Sequence, residues 1–357
     1  MIISKSHEIS IQFFDADGGD AIWIRYLGND NLWHNILIDG GYIGSYDKIF
    51  KPVINAISQA GECIDLWIIT HIDLDHIGAI ISFTRDTSIS DKDKLVKLYW
   101  FNHASYKIPD TSGKIGYKQG IDLRSYLESI NKLSIEQITE ESGTKDFYGL
   151  YLTLLSPTVE KIGAADRDWI KREKKKPAKI TRSQGDHHKK IEDFVESDFV
   201  ENVDTVNGSS IAFILRFKDI TGLFLADGHP SDIVNSLKKL NYSQKCPLLL
   251  SFVKVSHHGS KNNTSLELLA LIRTGVYVLS ANGITNKHPD KETLVRILKY
   301  HARIGQPLIF VFTANTNQIK TLFNVDEDPE RRYNFSQSFI EKDKLQTTLA
   351  YLPINLR

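Results

Sequence analysis

Short apolar runs recur along the chain between polar or glycine-containing turns, a pattern that predicts buried β-strands. Longer segments between several of these runs show the wider apolar spacing of amphipathic helices. The predicted strands are residues 8–14, 21–27, 35–39, 64–69, 95–101, 150–156, 211–217, 221–226, 248–255, 276–281, 307–313 and 318–324. The predicted helices are residues 46–60, 118–133 and 290–303, with two more that begin at Gly78 and Pro230. Strands therefore alternate with helices, and hairpins are expected at the start and in the middle of the chain.

The composition is that of an ordinary globular protein: 357 residues, 41% hydrophobic and 25% charged, with a formal net charge of zero. This neutral balance argues against a protein that coats nucleic acid, although it leaves room for a local basic groove. The two cysteines, Cys63 and Cys246, cannot build a disulfide framework or a thiolate metal site, which fits a reducing cytosol. Because no signal-peptide core and no run of about 20 apolar residues is present, we expect a cytoplasmic protein without membrane contact.

A cluster of polar side chains follows residues 64–69, where a strand is predicted to end. His71, Asp73, Asp75 and His76 occupy four of six consecutive positions. Crowded imidazoles and carboxylates are poorly accommodated unless a cation neutralises them, and their nitrogen and oxygen atoms suit Zn, Mn or Fe. The alternative is a solvated acidic turn with two incidental histidines. We would prefer that alternative for two such groups, but not for four after a buried strand.

Further polar groups follow later predicted strands. Asp227 comes directly after residues 221–226, and His257 and His258 come after residues 248–255. Taken alone, the His-His-Gly sequence is as typical of an ordinary loop as of a metal site. These groups indicate a metal site only when they are considered together with the first cluster, His71 to His76.

The sequence His71-x-Asp73-x-Asp75-His76-x-Gly78 resembles the metal motif of hydrolases of the metallo-β-lactamase fold. That family usually has histidine where Asp73 stands. The aspartate form resembles one branch, the hydrolase domain of the competence DNA-uptake protein ComEC, here without its membrane channel. The resemblance extends over roughly residues 8–320. The other matching segments are residues 15–20, Asp39-Gly40-Gly41, Ala226-Asp227, residues 254–260, Asn282 and His288-Pro289.

The resemblance implies a fold of class α/β (α+β), a four-layer αββα sandwich of two mixed β-sheets with helices outside. It also implies two divalent metal ions, Zn or Mn, that activate water for hydrolysis. The implied ligands are His71, Asp73, Asp75, His76, Asp227 and His257, with His258 as a less favoured alternative to His257. We expect one hydrolase domain over residues 1–330 and a C-terminal extension, residues 331–357, that packs on the same domain.

The resemblance also assigns individual roles around these ions. Asp75 would orient the attacking water, Asp227 would bridge the ions, and His288 would act as a general acid or contact a phosphate. The family also has a histidine in a third motif, between the first metal motif and the bridging aspartate. This histidine has no clear counterpart in the chain. Asn207 stands near that place, and His103 is a weaker candidate that is also typical of a strand-end surface histidine. Taken alone, residues 15–20 are typical of an acidic hairpin turn. The resemblance places Asp15, Asp20 and Asp39 beside the ligands as side chains that orient them.

The charge pattern breaks between residues 158 and 206. Residues 171–190 carry nine lysines and arginines against two acidic residues, and the chain then turns acidic. Because few large apolar side chains occur here, we expect a flexible or loosely helical insertion in the domain. It is either a solvated insertion or a basic flap that grips phosphates. We assign His187 and His188 to this insertion rather than to a metal pair.

The ComEC resemblance favours a nuclease or phosphodiesterase that acts on nucleic acid, in one version an effector of defence against foreign DNA. Because this fold hosts many reactions, the second function is hydrolysis of a small ester, thioester or phosphodiester. The third is a regulatory protein that holds metal for structure only, which the complete ligand set disfavours. A protein from the same defence or uptake system is a candidate partner, and the oligomeric state stays open.

Overall fold

The computed structural model describes residues 8–103, 115–134, 136–172, 185–195, 199–341, 344 and 346–349. The strands are β1 (Ile9–Phe14), β2 (Ala21–Leu27), β3 (Trp33–Asp39), β4 (Leu66–Ile69), β5 (Tyr99–Phe101), β6 (Thr144–Phe147), β7 (Leu150–Ser156), β8 (Ala212–Phe217), β9 (Ile220–Phe224), β10 (Leu248–Leu249), β11 (Phe252–Lys254), β12 (Ile272–Arg273), β13 (Val276–Leu279), β14 (Leu308–Phe312), β15 (Phe335–Phe339) and β16 (Gln346–Leu349). The α-helices are α1 (Lys51–Gln59), α2 (Leu74–Arg85), α3 (Lys92–Leu95), α4 (Ile115–Ser129), α5 (Val159–Arg172), α6 (Thr205–Gly208), α7 (Pro230–Lys239), α8 (Leu266–Leu271), α9 (Lys291–Ile304), α10 (Asn317–Lys320) and α11 (Pro329–Tyr333).

Two large mixed sheets are formed by the described residues. The first has the strand order β16-β1-β2-β3-β4-β5, with antiparallel pairing up to β3 and parallel pairing beyond it. The second has the order β15-β14-β13-β11-β9-β8-β7-β6 and changes from parallel to antiparallel at β9. Since β9 and β11 are parallel neighbours in the second sheet, the polar loops after them start from the same edge of that sheet. The loop after β4 starts from the parallel part of the first sheet.

The cores show four layers. Between the sheets, Phe13 of β1 meets Phe252 of β11 edge to face, with ring centroids 5.8 Å apart. Outside the first sheet, Trp67 of β4 stacks on Phe50 at 5.6 Å and contacts Phe83 of α2 at 5.2 Å. A third apolar cluster lies between the second sheet and helices α7, α8 and α9. The αββα sandwich of two mixed sheets is thereby confirmed.

Several predicted element boundaries were wrong. Residues 318–324 form no strand; α10 begins after Thr316, whose side chain accepts a hydrogen bond from the Ile319 amide at 3.3 Å. Ile319, Leu322 and Phe323 enter the core at helical rather than alternating spacing. The strand predicted at 95–101 is shortened to β5, because Leu95 ends α3 and Val96 makes only an isolated bridge with Ile64.

The predicted insertion is partly helical in the structure. It contains α5, a 3₁₀ turn over Ile191–Asp193 and α6, whereas residues 173–184 of the predicted basic flap lie outside the described residues. The chain after that gap is anchored to the start of α9, because Asp186 accepts hydrogen bonds from the amides of Lys291 at 2.8 Å and Glu292 at 2.9 Å. The end of the basic segment is therefore fixed beside His288.

The C-terminal strands extend both sheets. β15 pairs with β14 in the second sheet, and β16 pairs with β1 in the first. Within the residues that the structure describes, no helix is both long and apolar enough to cross a lipid bilayer.

Candidate metal centre

The motif that begins at His71 spans the end of β4 and the start of α2. Asp73 stands at the N-cap of α2, where its carbonyl accepts hydrogen bonds from the amides of His76 at 2.9 Å and Ile77 at 3.0 Å. His71 therefore leaves the strand, while Asp75 and His76 lie in the first helical turn. This change from strand to helix within six residues lets the side chains approach one point from different directions.

Asp227, in the loop after β9, lies at the centre of four histidines. Its Oδ2 is 3.7 Å from His71 Nε2 and 3.5 Å from His257 Nε2. Its Oδ1 is 3.5 Å from His76 Nε2 and 3.9 Å from His258 Nε2. The two oxygens of one carboxylate thus face two different pairs of imidazoles.

Two further aspartates divide the site into two groups. Asp73 Oδ2 lies 3.6 Å from His71 Nε2, and Asp75 Oδ2 lies 3.1 Å from His258 Nε2. We call His71, Asp73 and His257 the first group, and Asp75, His76 and His258 the second group. Asp227 belongs to both. His258 was predicted as a less favoured alternative to His257, whereas the structure brings both rings to Asp227, one to each group.

Outer hydrogen bonds fix which nitrogen of three histidines carries the proton. His76 Nδ1 donates to Asp39 Oδ2 at 2.7 Å, and His258 Nδ1 donates to the Ser280 carbonyl at 2.9 Å. Thr70 donates its hydroxyl to Asp39 at 2.7 Å, so its oxygen is left to accept from His71 Nδ1 at 3.1 Å. In the neutral form of each ring, Nε2 therefore carries a lone pair directed at the centre.

These residues fit divalent metal ions. Among the described residues, no partner donates or accepts a hydrogen bond at the buried Nε2 atoms of His71, His76 and His258 or at Oδ1 of Asp227. Imidazole lone pairs and carboxylate oxygens are all acceptors, so they cannot satisfy one another. Buried acceptors that converge in this way are stabilised by a cation.

Electrostatics in the site favour a positive charge beside Asp227. Burial alone would raise the pKa of Asp227, but His257, His76 and His258 outweigh it and hold that pKa well below its usual range. Burial likewise opposes the charged form of His76, yet Asp227 and Asp39 raise its pKa. The carboxylate therefore stays ionised in a buried position.

Solvent reaches the first group more readily than the second. The side chains of Asp73 and His257 are 44% and 22% exposed, whereas those of His76 and His258 are at most 3% exposed. His288 lies at this opening, with its ring centroid 5.5 Å from that of His257. Burial and the neighbouring His257 and His258 lower the pKa of His288 to about 3, so its ring is neutral at pH 7.

The remaining predicted residues are distributed around the centre. Asp39 is fully buried and its oxygens are engaged by Thr70 and His76. Asp20 pairs with Lys254, and its backbone amide donates to the Asp75 carbonyl at 3.1 Å. Burial and Asp17 raise the pKa of Asp15. Asn207 Nδ2 lies 3.4 Å from His257 Nδ1, so this side chain borders the first group. His103 Nε2 donates to the Ser134 carbonyl at 3.0 Å.

Three residues that orient this site, Thr70, Lys254 and Ser280, were not among those predicted from the sequence. Thr70 stands directly before His71, and Lys254 lies inside the segment that resembles the family, so both positions carried a signal. Ser280 acts through its carbonyl, which no residue type reveals. Tyr42 is half-buried on the loop against Gly78, and burial together with Asp75 raises the pKa of its hydroxyl.

Comparisons with known proteins identify the family of the chain. Residues 18–283 match the family model described as the metallo-beta-lactamase superfamily. No curated protein sequence matches the chain. Similar solved structures include the metallo-beta-lactamase fold protein YhfI from Bacillus subtilis, at 8% identity and a TM-score of 0.43, covering 96% of this chain and 98% of that one.

Two other solved structures are similar to the chain. A mutant of the CmlA beta-hydroxylase has 14% identity and a TM-score of 0.38, covering 98% of this chain and 55% of that one. A HARLDQ-motif mutant of a metallo-beta-lactamase from Cronobacter sakazakii has 12% identity and a TM-score of 0.33, covering 82% and 93%. The family match spans most of the sequence and includes the central residues His71 to Asp227 and the paired histidines. The chain belongs to the metallo-beta-lactamase superfamily.

Proposed function

We propose that the chain is a metal-dependent hydrolase that cleaves phosphodiester bonds in nucleic acid. The observation that carries the metal-dependent part is the convergence of buried, unpartnered Nε2 atoms on the two oxygens of Asp227. In this proposal the first group would hold one ion and the second group would hold the other, and Asp227 faces both groups. The mixture of imidazole and carboxylate ligands suits Zn or Mn.

When bound, two such ions would lower the pKa of a water molecule and would stabilise negative charge on the reacting oxygens. The residues of the chain then have separate tasks. Asp75 Oδ2 lies 3.1 Å from His258 Nε2, and the Asp75 side chain remains 16% exposed, so it can accept a hydrogen bond from water at the opening. Neutral His288, on the same side, can donate to or accept from a substrate oxygen. Asp39 and Thr70 keep His76 and His71 in the tautomers that bind metal.

The preference for nucleic acid rests on charge beside the opening. His187 Nε2 donates to the Pro289 carbonyl at 2.8 Å, which ties the end of the basic segment to the residue after His288. His188, Lys189 and Lys190 are exposed next to this contact, and exposed Lys287 precedes His288. Exposed lysines beside the opening can contact the phosphates of a bound nucleic acid.

The direct test is cleavage of labelled single- and double-stranded DNA and RNA by the purified chain with Mn or Zn. We expect cutting by the wild type and its loss in D75A, since the variant cannot orient water. D47A removes an exposed aspartate outside the site and should cut normally. Metal content is measured in all three proteins. Absence of cutting by a wild type that retains two ions would exclude a nuclease active on its own and would favour a small ester, thioester or phosphodiester substrate.

A further inference from the structure

The His257 ring is surrounded by amides on the side away from Asp227. Its Nδ1 lies 3.1 Å from Asn263 Oδ1, 3.3 Å from Asn202 Nδ2 and 3.4 Å from Asn207 Nδ2. One nitrogen can either donate one proton or accept at one lone pair. The three contacts therefore cannot all be satisfied at once. Which contact is made decides whether Nε2 carries a proton or a lone pair.

Asn263 requires a proton on Nδ1. Its side chain is fully buried, and its Nδ2 donates to the carbonyls of Asp227 at 3.1 Å and Gly228 at 3.3 Å. These two acceptors fix the orientation of the amide, so Oδ1 faces His257 as an acceptor. When Nδ1 donates to that oxygen, Nε2 presents a lone pair towards Asp227 Oδ2, as a metal ligand must.

Asn202 requires the opposite tautomer. Its Oδ1 accepts a hydrogen bond from the Asp204 amide at 2.8 Å, so its Nδ2 is the atom directed at His257. An N–H donor at Nδ1 favours a lone pair there and moves the proton to Nε2, where a metal would have to displace it. The orientation of Asn207 is not fixed in this way, because its buried Oδ1 has no hydrogen-bond partner among the described residues.

We propose that Asn263 is a positioning residue that selects the metal-binding tautomer of His257, and that Asn202 opposes it. The proposal rests on the metal centre of the proposed function. It adds that the insertion, to which Asn202 belongs, influences which nitrogen of His257 carries the proton. The contact with Asn263 is favoured over the other two, since Asn263 is fully buried and makes the shortest of the three contacts. It also ties His257 to the backbone of Asp227, so one side chain aligns two ligands of the first ion.

The first test compares zinc affinities of the full chain by competition with a chromophoric chelator. N263L should weaken one of two bound equivalents about 10- to 100-fold, the usual cost of losing an outer partner of a metal ligand. N202A should bind both equivalents at least as tightly as the wild type, because it removes the competing donor. N235A, at an exposed position on α7, serves as the matched amide control. Unchanged affinity in N263L, or a loss in N202A equal to that in N263L, would overturn the proposal.

The second test needs no variant and therefore does not depend on folding of N263L. Ring ¹⁵N chemical shifts of His257 report which nitrogen is protonated, in metal-free and in zinc-loaded wild type. We expect the proton on Nδ1 in both; a proton on Nε2 in the metal-free protein overturns the proposal. A chain that binds no zinc would instead defeat the proposed metal centre, while the metal-free spectrum would still decide the tautomer.

Discussion

Lys254 Nζ lies 2.8 Å from Asp20 Oδ1, and both side chains are almost fully buried. Lys254 belongs to β11 of the second sheet, whereas Asp20 directly precedes β2 of the first. The pair thus joins the two sheets next to the metal centre, since Asp20 Oδ1 is also 3.7 Å from His258 Nδ1. Burial alone would raise the pKa of Asp20, but Lys254 and His258 lower it, so the buried pair is ionic.

Breaking this ion pair should destabilise the fold strongly. K254M leaves the Asp20 carboxylate buried without its cation, which typically costs about 3–5 kcal/mol in unfolding free energy. The double variant K254M/D20N removes both charges and should recover a large part of that loss. Urea unfolding curves of the two variants and the wild type measure the difference.

The matched control is K261M, which removes an exposed lysine 3.9 Å from Glu292. Its unfolding free energy should stay within about 0.5 kcal/mol of the wild type. If K254M is no less stable than K261M, the buried pair does not hold the sheets together as argued.

The sequence predicted the strand-end positions of the site because buried strands and clustered ligand types are local signals. His71 to His76 follow an apolar run, and Asp227 and His257 follow two others. Which oxygen of Asp227 faces which histidine depends on how the two sheets pack, and no local pattern contains that information. The same limit explains why Asn202 and Asn263, 61 residues apart in the sequence, were not connected before the fold was known.

Edge strands were the least predictable part of the fold. β15 contains alternating serine and glutamine between two phenylalanines, and its strand conformation depends on pairing with β14. The strand predicted at 318–324 failed for the opposite reason, because a local cap at Thr316 and helical apolar spacing outweighed its β-branched residues.

Replacing Asp39 should weaken metal binding without removing a proposed ligand. In D39N one carboxylate oxygen becomes an NH₂ group, which donates and cannot accept. In either orientation of the amide this group faces a donor, the Thr70 amide at one position or the Thr70 hydroxyl and His76 Nδ1–H at the other. We expect zinc affinity to fall about 10- to 100-fold, as for other lost carboxylate–histidine contacts. Competition with a chromophoric chelator measures the change. D47N, at an exposed position, should bind as the wild type does, and equal affinities in D39N and D47N would contradict the assignment.

The lysines beside His288 should contribute to substrate binding through phosphates. The triple variant K189A/K190A/K287A should bind a DNA oligonucleotide more weakly at low salt. Its slope of log affinity against log salt should become shallower by about one unit for each lysine that contacts a phosphate. Fluorescence anisotropy over a salt series gives both quantities.

The control for net charge is K238A/K239A/K320A, which removes three lysines elsewhere on the chain, all of them exposed. A similar loss of slope in both triple variants would mean that overall charge, rather than the surface beside His288, governs binding. An unchanged slope in K189A/K190A/K287A would separate the basic segment from the substrate altogether.

His301 should make the fold less stable as the pH falls, independently of the metal centre. Its Nε2 lies 2.9 Å from the Tyr277 hydroxyl and its Nδ1 lies 3.3 Å from the Gln306 carbonyl. The carbonyl can only accept, so Nδ1 carries the proton and Nε2 accepts from Tyr277 in the neutral ring. Burial lowers the pKa of His301 to about 4, below its ordinary value of 6.5.

The direction of this change in unfolding free energy follows from the different pKa values of His301 in the folded and unfolded states. Below pH 6.5 the unfolded chain takes up a proton at His301, whereas the folded chain does so only near pH 4. The unfolding free energy should therefore decrease between these values, by up to about 3 kcal/mol. Because other histidines also titrate here, the informative quantity is the difference between wild type and H301Q. We expect H301Q to lose less stability than the wild type from pH 7 to pH 4 in urea unfolding, and parallel pH profiles would show that His301 is not held neutral in the fold.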